Sequence, residues 1–154
     1  MNNIIKVKKL IKDAKLPKKG REGDACYDLW TSEDVEVRGY ETIAIPTGIA
    51  IELPTDYEAE VRPRSGISLK GVEGVWSGIK NNFVCSVIQG TIDSNYRGEI
   101  KIIFRNEDLF DFTIPKHTKL AQMKINKVYD MQMVEVEELS DSVRGNQGFG
   151  SSGN

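Results

Sequence analysis

The chain has 154 residues, with 21 Lys and Arg against 23 Asp and Glu and a formal charge of −2, which is one ordinary domain. Two catalytic domains do not fit, and the lack of a long basic run excludes a protein whose main task is gripping phosphate backbones or anionic lipid. A domain of this length buries roughly 68–70% of its unfolded surface, so folding needs neither metal nor disulfide.

The apolar set leans toward strands. Val and Ile together number 28 and Leu only 8, and β-branched side chains, stiff at χ1, suit a pleated surface better than a helix. The N-terminal stretch carries Lys6, Lys8, Lys9, Lys12 and Lys15 and no apolar run longer than two residues. Neither a signal peptide nor a membrane span is expected there.

Taken in order, period-2 alternation appears around Ile5 and Val7, then at Val35–Val37, Thr42–Ile45, Ile49–Leu53 and Tyr57–Val61, each bounded by Gly, Pro, Asp or Glu. The spacing predicts one short helix over Ser65–Lys70, with Ser65 as its cap. Residues 71–82 hold three glycines and Trp76, which predicts a surface loop or extended hairpin. Strands are expected again at Phe83–Ile88, Glu99–Phe104, Phe110–Ile114, Leu120–Val128 and Met133–Val136. Turn signals every eight to twelve residues predict an all-β, jelly-roll-like sandwich or barrel occupying 1–139. From 140 to 154 the chain is polar and glycine-rich and lacks the apolar content to order itself, so a flexible arm is expected.

Cys26 and Cys85 are too few for a disulfide framework and read as reduced thiols of a cytoplasmic protein. His117, the lone histidine, reads as a surface turn residue.

Three clusters carry chemistry. Gly90 to Ile100 is a chain reversal holding Asp93 and Tyr96; an ordinary Asp is ionised at neutral pH and can accept a proton from water, although Asp-Ser-Asn is also common turn chemistry. Arg62-Pro63-Arg64-Ser65-Gly66 joins an Arg fork, a hydroxyl and backbone N–H groups, a combination that suits an anion. In the tail, Arg144, the glycine backbone and Ser151-Ser152 could wrap a polyphosphate while Phe149 stacks on a flat ring, as a lid would.

Ala25 to Leu29, Arg62 to Gly66, Gly90 to Ile100, Leu120-Ala121-Gln122 and Arg144 to Gly153 resemble, in order, the five motifs of the homotrimeric all-β dUTP pyrophosphatases, the dUTPases. The likeness runs from about residue 20 to the C-terminus. It implies in-line attack of water on the α-phosphorus of dUTP, yielding dUMP and pyrophosphate, which keeps uracil out of DNA and supplies dUMP for thymidylate. Asp93 would be the base that positions the water. Tyr96 would pack under the deoxyribose and reject a 2′-hydroxyl, and the backbone leading through Ile92 would read the uracil edge. Arg64, Ser65, Gly66 and Gln122 would hold phosphates, and Arg144, Phe149, Gly150, Ser151 and Ser152 would form the closing arm. Mg2+ would ride on the phosphates and waters, with Asp28 reaching it through water.

The same likeness implies a trimer in which each site draws on three chains. Cys26 stands where glycine is common, His117-Thr118 and Lys119 depart from the usual Gly-Asp/Glu and Arg, and Gln147 replaces a frequent glycine. The 71–82 segment exceeds compact members and is the natural contact for a protein partner. A dCTP deaminase on the same fold is disfavoured, because its glutamate aligns with Ile103, which cannot shuttle protons.

Overall fold

The computed structural model describes residues 4–148. Thirteen strands and one helix follow in order: β1 (Lys6–Lys9), β2 (Cys26–Trp30), β3 (Val35–Val37), β4 (Thr42–Pro46), β5 (Ile49–Glu52), β6 (Tyr57–Pro63), α1 (Ser65–Lys70), β7 (Val72–Trp76), β8 (Ile79–Phe83), β9 (Cys85–Ile88), β10 (Gly90–Ile92), β11 (Lys101–Asn106), β12 (Phe112–Ile114) and β13 (Lys119–Lys127). All pairings are antiparallel, in sheets ordered β1-β5, β10-β6-β13-β2, β4-β11-β9 and β3-β12-β7-β8. The expected all-β, jelly-roll-like body is what forms.

Alternation decides which side of each strand is wet. Along β11, Lys101 and Ile103 face out while Ile102, Phe104 and Asn106 are buried, as a half-buried strand with side chains on alternate faces demands. Leu29, Ile45, Ile49, Ile100, Ile102, Phe104, Ile114 and Leu120 form the centre of one core, each contributing roughly 1.5–3 kcal/mol by leaving water. Phe83 stacks on Phe112 at 4.1 Å, and Phe104 meets Phe112 edge-on at 6.4 Å. These rings tie β8, β11 and β12 together. Buried Asn106 donates from Nδ2 to the Arg38 and Phe110 carbonyls, both at 2.9 Å, and accepts from the Asp108 N–H. Among the described residues no buried side-chain N or O lacks a partner.

The structure meets the sequence expectation of an extended hairpin at residues 71–82 and departs from it in three places. Residues 71–82 form a hairpin: β7 and β8 pair from Val72↔Phe83 to Trp76↔Ile79, closed by Ser77 and Gly78 at φ 48° and 78°. Both central residues are left-handed, the geometry that matches strand twist in a two-residue loop. Trp76 is 45% exposed and packs on Phe110 with centroids 5.0 Å apart.

The helix runs where expected, but Arg64 occupies the cap position and no side chain caps it, so Ser65 is instead its first residue. The strand expected over Phe83–Ile88 is interrupted at Val84, which is exposed between β8 and β9. Met133–Val136 forms no strand. Residues 128–148 lie beyond β13 without strand or helix, and Met131, Met133, Val136 and Leu139 are exposed. Their alternation has no neighbouring strand in the single chain to pair with, so it does not become a strand there.

Candidate functional site

A polar recess of about 520 Å3 opens where β2, β13 and the β6–α1 junction meet, and it is lined by Arg21, Asp24, Cys26, Asp28, Arg64, Ser65, Gly66, Lys119 and Gln122. The sheet order explains why sequence-distant residues converge. β13 lies between β6 and β2, and Gln122 is opposite both Arg62 and Asp28. Gln122 donates from Nε2 to the Pro63 carbonyl at 2.9 Å, which holds it beside the chain entering Arg64. Four residues expected to grip phosphate, Arg64, Ser65, Gly66 and Gln122, thus share one recess.

Asp28 sits at the floor of this recess with its side chain only 14% exposed, and both carboxylate oxygens meet cations: Arg64 Nε lies 3.2 Å from Oδ1 and Lys119 Nζ 2.8 Å from Oδ2. Arg64 also donates to the Lys119 carbonyl at 3.2 Å. Whether this donor set suits Mg2+ is decided by that charge pattern. Two cations already neutralise the carboxylate, and among the described residues no three His, Cys, Asp or Glu side chains cluster to hold a metal. The residues do not build a protein cage for Mg2+, which prefers carboxylate oxygens and retained water.

The second cluster is the turn after β10. Tyr96 N–H donates to the Asp93 carbonyl at 3.0 Å, closing a β-turn, and Arg97 locks it by donating to the Ser94 and Tyr96 carbonyls at 2.6 and 3.0 Å. Tyr96 donates its hydroxyl to the Glu99 carbonyl at 3.1 Å and is 45% exposed. Asp93 is exposed and Ile92 half-buried.

This turn is not near the recess within one chain. Gly90 pairs with Val61 and Ile92 with Ala59, so Asp93 lies past the Ala59 end of β6, while Arg64 follows the other end. At ~3.3 Å per residue, the six steps from Glu58 to Arg64 span about 20 Å. The expected site residues therefore form two groups at opposite ends of one strand.

Arg144 joins neither group: its Nε donates to the Gln147 carbonyl at 2.8 Å in the exposed tail. Phe149, Gly150, Ser151 and Ser152 lie outside the described residues. His117 takes φ 63° in the turn before β13, with its ring nitrogen 3.1 Å from the Asp13 carbonyl oxygen. Ile103 lies on β11 opposite Ala44 and Ile88, facing outward. Both cysteines are free. Burial pushes the Cys85 thiol up to about 11, and the Glu107 carboxylate adds to this. Cys85 is thus an inert core residue at neutral pH.

Lys119, Arg21 and Asp24 are recess residues that the motif reading leaves out of the site. Lys119 is hidden by periodicity, since strict alternation would put it on the opposite face from Gln122.

The dUTPase family model matches residues 12–153. Deoxyuridine 5'-triphosphate nucleotidohydrolase of Clostridioides difficile is 49% identical over 149 residues, covering 97% of each chain. The protein of the same name from Clostridium acetobutylicum is 44% identical, covering 97% of this chain and 96% of its own. Among solved structures, the dUTPase of Staphylococcus bacteriophage 80alpha with dUpNHpp superposes with a TM-score of 0.85 at 28% identity over 99% of both chains, and phage dUTPases of that study control transfer of virulence genes. The phage phi11 D95N dUTPase, which coordinates a structural Mg(II) ion, has the same fold at a TM-score of 0.76 and 23% identity, over 88% of this chain and 98% of its own.

Proposed function

This chain belongs to the dUTPase family, and on that premise we propose that it hydrolyses dUTP to dUMP and pyrophosphate. The observation that carries the reading is the recess that brings Arg64, Ser65, Gly66 and Gln122 together with cationic surplus: Arg21, Arg64 and Lys119 against Asp24 and Asp28. Positively charged donors fixed in place before the substrate arrives suit a reaction whose catalysis is mostly positioning and charge neutralisation. Asp93 takes the proton of the attacking water, Tyr96 packs under the sugar, and the backbone at Ile92 reads the base. Arg144, Phe149, Gly150, Ser151 and Ser152 close over the bound nucleotide. Mg2+ comes with the triphosphate and its waters, since the recess itself offers no cage. Pyrophosphate release from dUTP, measured against dTTP, dCTP and UTP, tests the assignment; equal rates on all four would overturn it.

The separation of Asp93 from Arg64 along β6 supports a site shared between copies in a homotrimer. One chain supplies Arg64, Ser65, Gly66 and Gln122, another Asp93 and Tyr96, and a third the arm. The exposed apolar side chains interspersed with acidic ones between Val128 and Val143 support the same assembly, because large apolar side chains gain by burial against a neighbouring copy. Mixing Asp93→Asn chains with Arg64→Met chains after joint refolding would raise kcat/KM in mixed trimers above that of either variant alone. No gain in properly mixed trimers would refute the shared site.

A second reading adds a protein partner. It is favoured by the β7–β8 hairpin, where Trp76 and Ile79 are 45% and 66% exposed beside Phe110 at 41%. Replacing Trp76 and Ile79 by polar residues would remove partner capture and spare turnover. The two free cysteines fit work in the reducing cytoplasm, and among the described residues no helix is long and apolar enough to cross a membrane.

A further inference from the structure

Strand β13 carries an irregularity at the edge of the recess. Lys119 is opposite Trp30 and Ala121 opposite Leu29, so two steps of β13 answer one step of β2 between them. Such a bulge inserts one residue and re-aims the side chains around it. Cross-strand partners share a face. Gln122 is opposite Asp28 and Lys119 opposite Trp30, so the extra residue returns Lys119 to the face of Asp28 and Gln122. Leu120 and Ala121 are left to fill the core, both fully buried. The Lys119 ammonium then lies 5.6 Å over the Trp30 ring as well as 2.8 Å from Asp28 Oδ2.

The donors left over point to a role. Lys119 has three N–H donors and uses one on Asp28, and its side chain is 39% exposed in the recess. Arg64 spends Nε on Asp28 and Nη1 on the Lys119 carbonyl, which leaves the second terminal nitrogen uncommitted, with 30% of the side chain exposed. Asp28, almost covered, cannot turn away from either cation without leaving a buried charge unpaired.

We infer that Lys119 is a further phosphate-binding residue of this site and that Asp28 is a positioning residue, a carboxylate brace that aims Lys119 and Arg64 at the pyrophosphate portion of the nucleotide rather than a holder of the metal. A divalent cation next to Asp28 would be placed against two resident positive charges within about 3 Å of the same carboxylate. The inference rests on the dUTP reading for its substrate, yet it predicts binding of inorganic pyrophosphate by itself.

The test is calorimetric binding of pyrophosphate and of dUTP to the full-length protein in EDTA, with steady-state kinetics under varied Mg2+. Asp28→Asn and Lys119→Met should each weaken metal-free pyrophosphate binding about 5- to 20-fold, the scale of a partly exposed charge-assisted contact. The same variants should raise KM for dUTP by a similar factor, with a smaller change in kcat and the same Mg2+ concentration at half-maximal rate. Lys119→Arg should recover most of the binding, which a merely structural lysine would not require. Unchanged pyrophosphate affinity in Lys119→Met and Asp28→Asn would overturn the inference. So would a several-fold rise in the Mg2+ requirement of Asp28→Asn with normal EDTA binding. Failure of the dUTP reading is distinguishable, because wild-type protein would then release no pyrophosphate from dUTP at all.

Discussion

Two regions hang from opposite ends of β6, and they are built differently. The Arg64 recess is assembled from three strands and held by side chains: a covered carboxylate, two cations, a bulge and a glutamine locked to a carbonyl. The Asp93 turn is held by residues close in sequence, through the Tyr96 N–H to Asp93 carbonyl bond and the Arg97 and Tyr96 side chains donating to nearby carbonyls, and its acid stands exposed. The difference fits the two roles proposed for them. Binding charge demands donors fixed in advance, because ordering them at the moment of binding costs affinity. A base for water needs access to solvent until the substrate arrives.

The sharpest break in that comparison comes from Asp93→Asn, which keeps shape and removes the proposed base. We expect kcat to fall about 10²-fold or more, the scale of a positioned general base, while equilibrium dUTP affinity stays within about threefold. A parallel loss of affinity would show that the turn also binds phosphate. Arg64→Met should do the reverse, raising KM roughly 10- to 100-fold, as expected for losing a charge-assisted contact of about 1.5–3 kcal/mol, with a smaller change in kcat.

A third substitution probes how tightly the turn is packed. A Cβ on Gly98 would clash with the Tyr96 hydroxyl oxygen and with the ring carbon that bears it, so Gly98→Ala must push the ring aside and disturb its bond to the Glu99 carbonyl. The expected cost is about tenfold in the preference for dUTP over UTP, within the range that pocket fit alone provides; unchanged selectivity would remove Tyr96 from sugar recognition.

The smallest effect separates the recess from the core behind it. At pH 8, iodoacetamide should label Cys26, which lines the recess, and pyrophosphate should slow that labelling. Cys85 should stay unlabelled until the protein unfolds. Its native thiol holds its proton more tightly than the unfolded one, so its contribution to stability is complete below about pH 9 and is lost as pH rises toward 11. Urea midpoints measured across that range check the sign.

Much of this is legible in the sequence. Stiff β-branched residues at period 2 announced strands because side-chain alternation is local geometry, and Arg64-Ser65-Gly66, Gln122 and Asp93 stood out because their chemistry is carried by residue type. The hairpin turn at Ser77-Gly78 was half legible: glycine marked a reversal, but the pairing of β7 with β12 is a long-range contact. Met133–Val136 misled for the converse reason, since alternation names a strand only when another strand is there to pair with it.

What the sequence determined by itself was the all-β body, the order of the motifs and the chemical identity of the acid, the arginine and the tail. Tertiary structure alone decided that Asp93 and Arg64 lie at opposite ends of β6, because register depends on which strands pair. It alone decided that Lys119 faces Asp28, because one extra residue at a bulge reverses a face that period-2 reading assigns the other way.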